Sequence, residues 1–165
     1  MKRALLILAI FIVLFLSKQY VPKEARLPQP ELGDGGQATS SAISRVIRVV
    51  DGDTIEIEGG VRVRYIGIDS PEMEMCFAAE AKAENEKLVN DKTVRLEKDI
   101  SETDKYNRLL RYVYIDNVMV NNLLVRQGFA RAEPVKPDTR YAGQFLSAQD
   151  EAKANGRGLW SGCAH

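Results

Sequence analysis

Histidine is almost missing from this 165-residue chain: its single copy is the final residue, His165. That excludes a Ser–His–Asp triad, a histidine acid–base pair and a histidine-rich zinc centre in the body of the chain. Cysteine is nearly as scarce. Cys76 and Cys163 lie too far apart for a CxxC motif, and two thiols do not complete a four-ligand zinc site. They either pair, as an exported domain allows, or remain two free thiols. Spacing alone does not choose, because a disulfide needs the Cα atoms within bonding range. A surplus of charge is missing too, since 23 Lys and Arg balance 23 Asp and Glu. A protein that captures a polyanion by its overall field would be basic. Any hydrolytic chemistry here falls to carboxylates, arginines, lysines or a hard metal, and any polyanion must meet a local basic site.

The N-terminus has one long apolar run. Lys2 and Arg3 precede an unbroken apolar stretch from Ala4 to Leu16, the pattern of an export signal. The run is shorter than the roughly 20 residues that span a bilayer. No small-x-small cleavage site follows it, so residues 1–21 are expected to be a signal peptide or, if uncleaved, a signal anchor. The positive flank would keep the start of the chain in the cytoplasm and place the rest outside. Residues 22–42 hold Pro22, Pro28, Pro30, Gly33, Gly35 and Gly36 with few large apolar side chains, and read as a flexible linker. The expected domain covers 43–163.

Inside it, Val46 to Val50 is β-rich and stops at the turn Asp51-Gly52-Asp53. Ile55 and Ile57 alternate with Glu56 and Glu58, and Gly59-Gly60 is a hairpin turn. Val61, Val63 and Tyr65 alternate in the next run. Phe77 to Asn90 has helical spacing. Thr93 to Glu97 and Leu109 to Ile115 read as strands. Val118 to Arg126 is an expected helix ended by Gly128, and Asp138 to Ala154 is an expected last helix. This order predicts an α+β fold, a five-stranded OB-fold β-barrel with three α-helices.

Three clusters carry chemistry: Asp51-Gly52-Asp53-Thr54, Arg64 through Glu72, and Thr103-Asp104-Lys105-Tyr106-Asn107-Arg108. In the second, Pro71 stiffens the segment from which Asp69 and Glu72 project. Such oxygen ligands suit a hard divalent cation such as Ca²⁺. Arginine grips phosphate through parallel hydrogen bonds. Carboxylates for metal beside arginines for phosphate are what metal-assisted phosphodiester hydrolysis requires. Each cluster alone has a plainer reading. Asp-Gly-Asp makes turns, Ser70-Pro71-Glu72 makes a good helix start, and strand arginines are usually solvated.

Together and in this order the clusters closely resemble staphylococcal nuclease, the thermonuclease family. The resemblance runs from about Ile43 to Trp160. It also includes Val118-Met119-Val120-Asn121, Leu124-Val125-Arg126-Gln127-Gly128 and Gly158-Leu159-Trp160. It implies a Ca²⁺-dependent endonuclease acting on DNA and/or RNA and leaving a 3′-phosphate. Arg64, Glu72 and Arg108 match the catalytic positions. Asp53 and Asp69 match the calcium carboxylates, with Ser70 lending its backbone carbonyl. Lys105 and Tyr106 match positions near the bound nucleotide. A monomer is expected, tethered to the membrane if residues 1–21 stay attached and secreted otherwise.

The chain also departs from the family. The loop after Glu72 is shorter than in the staphylococcal enzyme. The paired tyrosines that flank the nucleotide have no clear match in Arg131-Ala132-Glu133-Pro134-Val135-Lys136-Pro137, and Tyr141 is a substitute left unassigned. From Ile43 onward there are 18 Lys and Arg against 20 Asp and Glu, so field-driven capture of long DNA should be modest. Trp160 is expected to seal the end of the domain. A Cys76–Cys163 bridge would tie the C-terminus to the first helix. The alternative function is a non-catalytic OB-fold nucleic-acid-binding module. Such modules typically lose the arginines, the glutamate or the metal carboxylates, all of which stand here.

Overall fold

The computed structural model describes residues 41–163. The signal or anchor expected over residues 1–21 lies outside the described residues, as does the linker up to residue 40. Strand β1 (Ser41–Val49) is followed by β2 (Thr54–Ile57), β3 (Val61–Tyr65) and the short β4 (Ile68–Asp69). Helix α1 (Ala78–Val89) leads to β5 (Thr93–Glu97), β6 (Leu109–Ile115) and β7 (Val118–Met119). Helix α2 (Val120–Arg126), β8 (Arg131–Ala132) and helix α3 (Ala142–Ala154) complete the order, before a 3₁₀ turn at Gly158–Trp160. Strand β1 thus takes in Ser41 and Ala42, both paired with β5.

Alternation in the sequence makes one face of each long strand apolar. Ile55, Ile57, Val63, Tyr65, Val94 and Leu96 turn inward and are buried. In β1, Val46 and Val49 both reach the core despite odd spacing, because the register shifts between Val46 and Arg48. Strands β1, β2 and β3 pair antiparallel, as do β1 with β5 and β5 with β6. A parallel pairing of β3 with β6 closes the ring. The result is a five-stranded OB barrel, which leaves those strands no free edge. Closure sets Arg64 opposite Leu110, two residues from Arg108.

The helices close the barrel through small inward stripes: Ala81, Asn85 and Val89 on α1, Val120, Asn121, Leu124 and Val125 on α2, Phe145, Ala148 and Ala152 on α3. Two helix starts differ from the expectation. Val118 and Met119 pair back onto Ile115 and Tyr114 before the helix begins. Asp138 is not helical. Its carboxylate accepts the Ile100 and Ser101 N–H groups at 2.9 and 2.7 Å, and α3 starts at Ala142. Cys76 and Cys163 are joined, with Cα atoms 5.8 Å apart. The bridge fastens the chain's end to the segment leading into α1. Among the described residues no helix is long and apolar enough to cross a membrane.

Candidate active site

The first cluster is a tight turn whose Val50 and Asp51 N–H groups both bond the Thr54 carbonyl, at 2.9 and 3.3 Å. Gly52 is required there by space. A Cβ on it would lie 2.7 Å from the Ser70 Cβ and 2.8 Å from the Ala81 Cβ, inside any tolerable contact. This close approach brings Asp53 against Ser70. The Asp53 carboxylate is buried, taking the Ser70 N–H at 2.6 Å and the Thr54 hydroxyl at 3.1 Å. Burial pushes its carboxyl up to about 7, against the lowering pull of the Arg64 guanidinium. Nearby Asp51 adds to the rise, and the bonds from Ser70 oppose it.

Arg64 answers that carboxylate from the end of β3. Its Nη1 lies 2.9 Å from Asp53 Oδ2 and donates to the Ile68 carbonyl at 2.8 Å. Its Nη2 donates to Asp69 Oδ1 at 2.9 Å. The chain can turn back for this because Gly67 sits at φ 77° with its α-carbon against the Phe145 ring, where a Cβ would fall 2.6 Å from Cε2. Asp69, Ser70 and Arg64 thereby meet at the mouth of the barrel. Strand periodicity left open whether Arg64 could reach Asp69; its length and the turn at Gly67 bring the two together.

Arg108 joins from the loop before β6. Its Nε donates to Asp104 Oδ2 at 2.7 Å, and Asp104 Oδ1 takes the backbone N–H groups of Tyr106 and Arg108. Its Nη1 reaches the Thr54 hydroxyl at 3.5 Å. Thr54 therefore touches both Asp53 and Arg108. Lys105 and Tyr106 stand on the same loop, with the ammonium 4.9 Å from the ring centroid. Tyr106 is exposed. A cleft of about 520 Å³ is lined by Arg64, Arg108, Lys105, Tyr106 and Val135.

Glu72 is not drawn into the ion-paired cluster. It is exposed on the loop after Pro71, and among the described residues its carboxylate has no hydrogen-bond or ion-pair partner. It lines a second cleft together with Asp69 and Ser70. Tyr141 is tied into the domain. Its hydroxyl donates to Glu97 at 2.9 Å, and its ring packs edge-on against Tyr112. Trp160 lies half-buried near Arg131 and Lys153.

Sequence reasoning assigned no role to three supports of the site. Asp104 orders the loop of Arg108. Asn85, fully buried on α1, holds the Asp51 carbonyl at 3.1 Å and accepts the Tyr65 hydroxyl at 2.9 Å. Asn121, fully buried on α2, bonds the Ile66 carbonyl at 3.0 Å and the Val113 N–H at 2.9 Å. The available signal was polarity on an otherwise apolar helix stripe, since a buried amide has to be bonded.

The donor chemistry suits a hard cation. Asp53 and Asp69 already present oxygens to two nitrogens of one guanidinium, so a cation beside Arg64 meets both. Among the described residues no three His, Cys, Asp or Glu side chains gather as a metal cage. Carbonyl oxygen, water or phosphate would have to fill the remaining positions.

An OB barrel with paired carboxylates and two arginines at its mouth defines a phosphate-handling domain. The pattern that describes the family "Staphylococcal nuclease homologue" matches residues 62–162. The chain belongs to that family. It is 30% identical over 165 residues to a thermonuclease of Staphylococcus hyicus, covering 94% of this chain and 95% of that protein. It is 36% identical over 169 residues to a thermonuclease of Staphylococcus intermedius, covering 94% of each. The SPbeta prophage-derived endonuclease YokF of Bacillus subtilis is 41% identical over 125 residues. That match covers 69% of this chain but only 42% of YokF, so this chain spans less than half the length of that relative.

Proposed function

We propose that the protein is a calcium-dependent endonuclease that hydrolyses phosphodiester bonds of DNA and/or RNA. The observation that carries the reading is the joint grip of Arg64 on Asp53 and Asp69, with Arg108 tied to the same turn through Thr54. Names of relatives, thermonuclease and endonuclease, support it. Asp53, Asp69 and the Ser70 carbonyl are the residues to hold Ca²⁺. When bound there, Ca²⁺ supplies positive charge to a phosphate oxygen and a place for water.

The chain's own groups do the rest. Glu72 takes the proton of the attacking water as general base. Its freedom from internal partners leaves its carboxylate available for that water. Arg64 and Arg108 stabilise the charge that builds on the phosphoryl oxygens as the new P–O bond forms and the old one breaks. For Arg64 this role means exchanging carboxylates for phosphate, which a cation on Asp53 and Asp69 favours. Lys105 and Tyr106 flank the neighbouring nucleotide.

The protein acts as a monomer outside the cytoplasm, attached to the membrane or released according to the fate of residues 1–21. The Cys76–Cys163 pair supports this placement, because disulfides persist in oxidising compartments.

The test is incubation of the purified full chain with single-stranded DNA and with RNA, in Ca²⁺ or in EDTA. Calcium-dependent cleavage is expected. Intact substrate under all conditions, from folded protein, would favour the non-catalytic binding module.

A further inference from the structure

The cleft on the far side of Asp69 has features that the proposed catalysis leaves unused. It measures about 750 Å³ and runs from Asp69, Ser70 and Glu72 to Arg131, Lys153 and Trp160. That volume is in the range of ligand sites. Arg131 faces Asp69 across the β4–β8 pair. Directly opposed residues on antiparallel strands have side chains on one face, within reach of each other. Yet Asp69 is bonded to Arg64, and among the described residues Arg131 forms no ion pair. The same holds for Lys153, although most other cations of the domain have carboxylate partners.

The placement of Lys153 follows from the fold. Gln149 on α3 accepts the Ala132 N–H at 3.0 Å, fastening β8 to the helix. Lys153 is one turn further along, on the same helix face. Its ammonium lies 4.8 Å from the Trp160 ring centroid, and the Arg131 guanidinium carbon lies 5.8 Å from it. Two cations without carboxylate partners, held over one ring and lining one cleft, suit a groove that follows the phosphates of a single strand. The acidic groups in the cleft, Asp69 and Glu72, sit at its catalytic end.

We infer that Arg131 and Lys153, held over the Trp160 ring, form a second phosphate-binding subsite, which takes the single strand as it leaves the scissile phosphate on the side opposite Lys105 and Tyr106. The substrate thus crosses Asp69 and Glu72, with a basic contact on either side. This rests on the nuclease reading and adds a second anchoring point to it.

The subsite is tested with the full chain, its Arg131→Gln/Lys153→Gln double variant and a Lys87→Gln control on α1. Two substrates are compared: a dinucleotide and a single-stranded oligonucleotide of about 12 nucleotides, long enough to fill both clefts. The double variant should lose about tenfold of the wild-type preference in kcat/KM for the long substrate over the short one, with the control unchanged. In EDTA, where cleavage stops, oligonucleotide binding should shift the fluorescence of Trp160, the chain's single tryptophan. The double variant should flatten the log–log salt dependence of that binding by roughly 1.4, about 0.7 for each lost phosphate contact on a single strand. An unchanged preference and salt slope in the double variant would overturn the subsite while leaving the nuclease intact. Failure of the wild type to cleave either substrate would overturn the nuclease reading and the subsite with it.

Discussion

Arg64 holds the buried Asp53 carboxylate at 2.9 Å, and among the described residues it is the one cation in contact with that group. Removing one partner of a buried ion pair leaves the other uncompensated. Arg64→Ala should cost about 3 kcal/mol of stability at pH 8. The carboxyl of Asp53 already stands near 7 because of burial. A raised carboxyl takes up a proton in the folded state as pH falls through that value, which removes the unpaired charge. The penalty of Arg64→Ala should therefore shrink between pH 8 and pH 5.5. Urea unfolding of both proteins at the two pH values measures this.

Gly52 offers a test of how the proposed calcium ligands are aligned. A methyl group there collides with Ser70 and Ala81. Gly52→Ala should lower stability by about 1–3 kcal/mol. Because Ser70 must move, the calcium concentration that gives half-maximal cleavage should also rise. Thermal unfolding and a calcium titration of the rate read the two effects separately.

The Cys76–Cys163 bridge closes a loop of 87 residues of sequence separation and begins four residues after Glu72. Cross-links over long loops restrict the unfolded chain strongly. Reduction, or Cys163→Ser, should cost about 2–5 kcal/mol and lower kcat through the loop of Glu72. Unfolding with and without a reductant checks the first, and kinetics on the serine variant the second.

Acid sensitivity should come from carboxylates whose hydrogen bonds tie distant segments together. Burial raises Asp138, but the bonds from the Ser101 side chain and from the Ser101 and Ile100 backbone outweigh it, and its carboxyl lies below its usual range. Glu97 is likewise pushed up by burial and held down overall by Tyr141, Arg95 and Arg140. A depressed carboxyl contributes stability that is present above the unfolded value, about 4, and is lost as pH falls through the folded one. The contribution of these two groups should thus hold down to about pH 4.5 and decline below it. Asp138→Asn should be less stable at neutral pH and show a shallower decline, as read by unfolding across pH.

Much of this architecture was legible in the chain. Ile55 and Ile57, then Val63 and Tyr65, announce strands by alternation, and Asp-Gly-Asp and Gly-Gly mark the turns between them. The elements that sequence reading missed are those made by distant partners. Ile68 and Asp69 form a strand only because Arg131 and Ala132 meet them. Asp138 looks like a helix start, yet its carboxylate serves Ile100 and Ser101 across the fold. At the site, motif resemblance named Asp53, Arg64, Asp69, Ser70 and Arg108, and the fold gathers them around one turn. Asp104 and Asn85 went unassigned because their value lies in what they bond, which spacing along the chain does not reveal.

The most direct test of the account is the rate of Glu72→Gln in saturating Ca²⁺, with its melting temperature measured alongside. Glu72 is exposed and makes no side-chain bond among the described residues, so the melting temperature should not move. As the proposed general base it should nonetheless be needed: kcat should fall at least about a hundredfold, the lower bound for such a group. A Glu72→Gln protein that cleaves at the wild-type rate would contradict the mechanism.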